Sequence, residues 1–297
     1  MMGLDNLDGK KECGYSIAQS IVKEMQVIST LPEITTKIIA IVDDPNSGVR
    51  DLHSVISSDP ALSSRVLKVV NSAFYGLPRQ IASMNRAVSL LGRKAIKNIA
   101  ISGSVAQLFR GESYGKHFKP NLLWEESLAT ANAARAIADV CRPGISDEAF
   151  LAGLIHDIGV LVEYQYDPAR FSKAFDRSIE SQCDLRICER EVFKADHEDF
   201  GKALCESWKF PASLVWVANH HHEPECVPPS NRDLPAIVHI ACSLVRRYMC
   251  ERTVDLNSVD LPETSCTWLE ISEERRQLVC SRVRLALSTG DALLTAA

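Results

Sequence analysis

The sequence predicts an all-α protein. Apolar residues recur at three- and four-residue spacing through the regular stretches, no stretch alternates with period two between hairpin turns, and two Asp-Pro pairs stand where helices should open. No Gly-x-Gly-x-x-Gly or other glycine-rich phosphate loop is present, which leaves little room for a nucleotide-binding α/β fold.

Residues 1–15 read as a polar leader. Ile17, Ile21, Met25 and Ile28 then repeat at helical spacing up to Leu31-Pro32. Helices are expected over 33–42, stopped by Asp43-Asp44-Pro45, and over 49–57, where Leu52, Val55 and Ile56 are apolar. Asp59-Pro60 offers an N-cap carboxylate followed by a first-turn proline, and opens a helix burying Leu62, Val66, Leu67, Val69 and Val70. At its end, Asn71, Ser72, Phe74, Tyr75 and Arg79 suit either a hydrogen-bonded junction or a recognition patch, with the junction favoured. Gly92 should break the next helix, and 94–109 should form a longer one.

The glycine-bearing stretch 111–120 marks a subdomain junction, with His117 exposed. An alanine-rich helix over 122–140 should pack closely and carry Glu125 and Glu126 in its first turn. The helix begun by Ser146 is expected to carry His156 and Asp157. Asp167-Pro168 caps the following one, and Asp196 caps a helix that begins at His197. Gly201 shares a face with His197 and permits close approach there. Pro211 opens a helix ending in His220-His221-His222, Leu234 to Tyr248 forms an apolar helix holding His239 and Cys242, and Ser272 opens the last.

Composition bounds the function. A chain of 297 residues with 46% hydrophobic and 24% charged residues can bury a sizeable core. A net charge of -5 gives no electrostatic case for nucleic acid. The start lacks a signal-peptide pattern and no apolar run reaches spanning length, so a cytoplasmic, membrane-free protein is expected. The ten cysteines include no Cys-x-x-Cys pair and read as reduced thiols.

The chemistry gathers at Gly153-Leu-Ile-His-Asp-Ile-Gly159, which sets a histidine and an aspartate side by side inside an apolar run. Such a pair is either mutually hydrogen bonded or ligates a metal. Five of the eight histidines fall at 156, 197 and 220–222, and this clustering favours metal. His220 should face away, and His239 should be a satisfied core residue.

Several motifs then occur together and in order: Ser58-Asp-Pro-Ala-Leu62, Val70-Asn-Ser-Ala-Phe-Tyr-Gly76, Arg86-Ala-Val-Ser-Leu-Leu-Gly92, the His156-Asp157 stretch, Asp196-His197 with Gly201, Trp208-x-Phe-Pro211 and His221-His-Glu-Pro224. From about Ile17 to Tyr248 the chain resembles the HDOD family of bacterial signalling output domains. That family is similar to the HD metal-dependent phosphohydrolases and the HD-GYP cyclic-dinucleotide phosphodiesterases. The resemblance implies an N-terminal helical subdomain, here 16–115, packed on an HD-like subdomain, here 116–297.

It also implies metal ligands at His156, Asp157, His197, His221 and His222. The ends of the HD pattern have changed: Glu126 stands where a first histidine would be, and Cys242 where a last aspartate would be. Both residue types can still ligate iron or zinc. The lysine that often follows His-Asp-Ile-Gly is Val160, and no Gly-Tyr-Pro is present. Lys194, Lys202 and Arg135 are the remaining candidate cations. The expectation is a non-catalytic regulatory module that binds other signalling proteins, chiefly through its first 115 residues, with iron or zinc ahead of manganese. The alternatives are a metal-dependent phosphohydrolase acting on a nucleotide or phosphodiester, and a metal-free scaffold.

Overall fold

The computed structural model describes residues 5–25, 33–71, 79–109, 116–251 and 253–294, and among these there are helices and turns but no strand. Leu31-Pro32, the segment 72–78 with Phe74 and Tyr75, and most of the expected junction after Phe109 lie outside the described residues.

The helices are α1 (Asp5–Glu24), α2 (Glu33–Asp43), α3 (Val49–Ser57), α4 (Pro60–Val70), α5 (Met84–Val105), α6 (Pro120–Cys141), α7 (Ser146–Ile155) and α8 (Ile158–Tyr166). They continue with α9 (Pro168–Ser181), α10 (Leu185–Phe193), α11 (His197–Ser207), α12 (Ala212–His220), α13 (Asp233–Cys250), α14 (Glu263–Trp268) and α15 (Glu273–Leu294). They form two compact units, each discontinuous in sequence. One comprises 1–30, 108–127 and 155–235; the other comprises 31–107, 128–154 and 236–297.

In the second unit, α2 to α5 enclose Ile38, Leu52, Ile56, Leu62, Val66 and Ile96, all fully buried. Burial of side chains of this size is worth roughly 1.5–3 kcal/mol each. Asp59 caps α4 by accepting from the Leu62 N–H at 2.9 Å, with Pro60 in the first turn. Gly92 has φ of 81° and kinks α5 where a break was expected. Across α6 and α7, a Cβ on Gly153 would lie 2.8 Å from the Ala131 Cα, so only glycine allows this approach to the alanine-rich helix.

The first unit is built on α11, which packs against α1, α8 and α12. Phe118, Tyr164 and Phe171 fill its far side, with ring centroids 4.7 Å apart for Phe118–Phe171 and 4.9 Å for Phe118–Tyr164. Asp167 caps α9 as expected.

Three local expectations change. A helix begins at Asp5, inside the expected polar leader, and Gly14, Ala18 and Val22 are buried along one face of it. Glu125 and Glu126 lie beyond the first turn of α6, because Pro120 already opens that helix. His156 and Asp157 occupy a turn between α7 and α8 rather than a helix. Asp157 stands at the N-cap position of α8 without capping it, since its carboxylate is directed to histidines instead.

Asn71 is an internal junction. Its Nδ2 donates to the Leu67 carbonyl and the Ile81 carbonyl, both at 2.8 Å, and its Oδ1 accepts from the Ile81 N–H at 2.6 Å. Arg79 is exposed. Asn71→Ala should cost on the order of 2–3 kcal/mol, because it strands the Ile81 backbone groups. Urea unfolding checks this, and an unchanged midpoint would show that the junction contributes nothing.

Candidate metal centre

Asp157, His197, His221 and His222 each bring one donor atom into a single place, all within 4.8 Å of one another. The three elements that supply them end or begin at the site. Asp157 sits in the turn before α8, His197 is the first residue of α11, and His221 and His222 follow the end of α12. The Asp196 carboxylate fixes the start of α11 by accepting from the Asp199 N–H at 3.1 Å, while Asp199 reaches back to the Asp196 N–H at 3.3 Å. A Cβ on Gly159 would lie 1.9 Å from the His197 carbonyl oxygen and 2.6 Å from the Gly201 nitrogen. Only glycine at that position lets α8 lie against α11, and this contact puts His197 beside Asp157. Gly201 in turn faces Ala218 of α12.

Asp157 is the common partner. Its Oδ2 is 3.1 Å from His156 Nε2, and its Oδ1 is 3.1 Å from His221 Nε2 and 3.7 Å from His197 Nε2. Asp157 Oδ1 and His221 Nε2 are both buried, and neither has hydrogen-bond geometry with any described group. Two unsatisfied buried donor atoms facing each other fit a cation, which both would ligate.

The outer contacts orient the rings. Glu189 Oε2 accepts from the His197 backbone N–H at 3.0 Å and lies 2.7 Å from His197 Nδ1, leaving Nε2 turned to the centre. His221 Nδ1 is 3.2 Å from the Val217 carbonyl. Glu198 accepts from the His222 N–H at 3.2 Å. Arg186 ties this shell together, at 3.4 Å from Glu198, 3.0 Å from Glu223 and 2.8 Å from Asp184.

Charge follows from these contacts. Burial opposes charge on Asp157, but His156 and then His221 hold its carboxyl well below the usual carboxylate range. Burial likewise opposes charge on His197, yet Glu189 and then Asp157 push it up to about 10. Burial brings His221 down to about 4, against the pull of Asp157. His222 is lowered further, by burial and then by His221 and His197. His197 Nε2 and His222 Nε2 lie 3.1 Å apart, close enough to share one proton or one cation.

The other sequence candidates are not among the four grouped donors. His156 touches Asp157 but is not one of the four grouped donors. Glu126, half-buried on α6, and Cys242, buried on α13, are not in the group either. His220 pairs with Asn219 at 2.7 Å and lies near Trp216. His239 meets Ser265 at 3.3 Å. Lys202 lies over the Tyr15 ring, Lys194 bonds the Glu191 carbonyl, and Arg135 pairs with Asp147.

The family model for the HDOD domain matches residues 28–224. The chain belongs to the HDOD family. Among solved structures, this HDOD chain is similar to an HDOD domain protein of Geobacter sulfurreducens, with TM-score 0.71, 22% identity, and coverage of 96% of this chain and 97% of that one. It is similar also to a "Putative phosphohydrolase" of Shewanella amazonensis SB2B, with TM-score 0.67, 21% identity, and coverage of 90% and 98%. A "Putative signal transduction protein" of Marinobacter aquaeolei VT8 matches with TM-score 0.68 and 23% identity, over 90% of this chain and 58% of that one. An uncharacterized protein of Treponema pallidum is 22% identical over 231 residues. That stretch is 77% of this chain and 44% of the relative, so the HDOD chain spans less than half of the relative's length. No helix among the described residues is long and apolar enough to cross a membrane.

Beneath the donors lies a second carboxyl that sequence reasoning missed. Glu163 and Glu189 are fully buried, and both Glu163 oxygens and Glu189 Oε1 have no hydrogen-bond partner among the described residues. Burial first, and then the Glu189 carboxylate, raise Glu163 well above the carboxylate range. The folded state thus keeps a proton that the unfolded chain releases above about pH 4.5, and this cost to stability grows as pH rises. Glu163→Gln, which holds no such proton, should raise the melting temperature by several degrees at pH 8 and change it little at pH 4.5. A shift equal at both pH values would show that Glu163 is ionised in the native protein.

Proposed function

We propose that this chain is a regulatory output module that binds other signalling proteins, and that it holds a transition metal on Asp157, His197, His221 and His222 without turning over a substrate. The observation that carries the reading is a four-donor set whose neighbouring guanidinium, Arg186, is already engaged by carboxylates. Three imidazoles and one carboxylate fill a four-coordinate shell and suit zinc or iron better than magnesium or calcium, which prefer oxygen ligands throughout. Hydrolysis of a phosphate ester asks for an open coordination position and for a cation or acid to steady the phosphate. The guanidinium nearest the donors, Arg186, is already engaged by Asp184, Glu198 and Glu223. Val160 stands where the HD enzymes often carry a lysine, and Lys194 and Lys202 are committed to other partners. Exposed Val49 and Leu90, 38% and 54% accessible, lie in the part of the chain expected to meet the partner.

The alternative, a metal-dependent phosphohydrolase acting on a nucleotide or phosphodiester, draws support from the same convergent donors and requires a metal with more than four ligands, as iron accepts. Bound metal would act there as a Lewis acid. The residues' own part would be to hold it, with Glu189 fixing the His197 ring.

Elemental analysis of tag-free protein, paired with turnover assays on cyclic dinucleotides and nucleotides in manganese or iron, separates the readings. About one zinc or iron per chain is expected, lost in His197→Ala, retained in Glu126→Ala, and weakened progressively as the pH falls and protons compete, first for His197 and near pH 4 for His221. No steady turnover is expected. Wild-type protein without metal after anaerobic reconstitution would refute the metal site. Turnover that disappears in His197→Ala would establish the hydrolase.

A further inference from the structure

We propose that Cys183 and Cys188 are a site of reversible oxidation that closes to an intramolecular disulfide when a hydroperoxide reaches Cys183. The two Sγ atoms lie 2.9 Å apart, with both cysteines reduced. A disulfide needs ~2.05 Å, so less than about 1 Å of movement closes it. The local chain creates this proximity. Gln182 ends α9 in the left-handed conformation with φ of 51°, and the Cys183 N–H turns back to the Ser178 carbonyl at 3.1 Å. Asp184 then caps α10 immediately, which brings Cys188, one turn into that helix, over Cys183.

The two thiols have different parts to play. Cys183 is partly accessible, whereas Cys188 is 1% exposed. Burial, and then the neighbouring Cys183, push the Cys188 thiol up to about 11 and keep it protonated. Arg177 interacts electrostatically with both sulfurs and favours negative charge there. Cys183, the accessible one of the pair, is thus the sulfur that meets the hydroperoxide, and Cys188 the resolving thiol. In the first step the Cys183 thiolate takes the terminal oxygen of a hydroperoxide, the O–O bond breaks, and the alcohol leaves after protonation, giving a sulfenic acid. In the second, the Cys188 sulfur displaces that oxygen as water, its own proton leaving with it. Two thiols are oxidised by two electrons and one hydroperoxide is reduced.

The bond would close a loop that contains Arg186 and ends at Cys188, one residue before Glu189. Oxidation would therefore fix the segment that clamps Glu198 and Glu223 and holds the His197 ring.

The test uses full-length protein treated with hydrogen peroxide, alkylated, and digested with trypsin without reduction. Cleavage at Arg186 separates the peptides 178–186 and 187–190 unless a disulfide joins them. The expected result is linked peptides that form in native protein before Cys13, Cys226 and Cys250 are oxidised, and that separate after dithiothreitol. Cys188→Ser should instead accumulate a dimedone-reactive sulfenic acid on Cys183, and Cys183→Ser, altered at a partly exposed position, should give no link. Linked peptides only after unfolding in urea, or oxidation of the exposed thiols while these two stay free, would overturn the proposal.

Discussion

Asp157 is a nearly buried carboxylate with imidazole nitrogens at 3.1, 3.1 and 3.7 Å, and the rest of its unit is arranged around that fact. An ionised carboxylate removed from water needs a compensating charge. In the folded chain His156 and then His221 favour the ionised carboxylate, and His197, pushed toward its charged form by Glu189 on its opposite side, faces it at 3.7 Å. A divalent metal in place of a ring proton would add one positive charge, with the Asp157 and Glu189 carboxylates on either side of His197 to balance it. Gly159 is the steric condition for all of this, because any side chain there would push α8 off the backbone of His197.

The all-helical fold and most helix boundaries were legible because they rest on local chemistry. Asp59-Pro60, Asp167-Pro168 and Asp196 cap their helices as read from the sequence, and Gly92 marks the kink. The convergence of Asp157, His197, His221 and His222 was legible from residue clustering and from the HDOD resemblance. The supporting shell was not. Glu189 and Arg186 sit in the amphipathic α10, where spacing does not distinguish a buried glutamate from a solvated one, whereas Glu163 lies in α8 among residues buried from Ile158 to Tyr164, and its apolar neighbours were the one signal available. Cys183 and Cys188 carry no familiar redox spacing and meet only because Gln182 and Asp184 turn the chain between two helices. The His156-Asp157 turn was hidden for the opposite reason: the apolar residues on both sides continue a helical pattern straight through it.

The balance between ligation and catalysis turns on what lies beyond the four donors. Each outer contact stiffens the donors: Glu189 on His197, Val217 on His221, Glu198 on the His222 backbone, and Arg186 across α10, α11 and the segment after α12. The Arg186 guanidinium is shared by three carboxylates. On the proposed reading, a metal in this shell would lock α8, α11 and α12 into one arrangement. Thiol oxidation at the start of α10 would act on the same shell from outside.

X-ray absorption on zinc-loaded, tag-free protein tests the central claim most directly. The expected first shell holds nitrogen and oxygen scatterers at ~2.0–2.1 Å with the multiple-scattering signature of about three imidazoles. A sulfur scatterer at ~2.3 Å, which would bring a cysteine such as Cys242 into the shell, or a shell of oxygen alone, would contradict it.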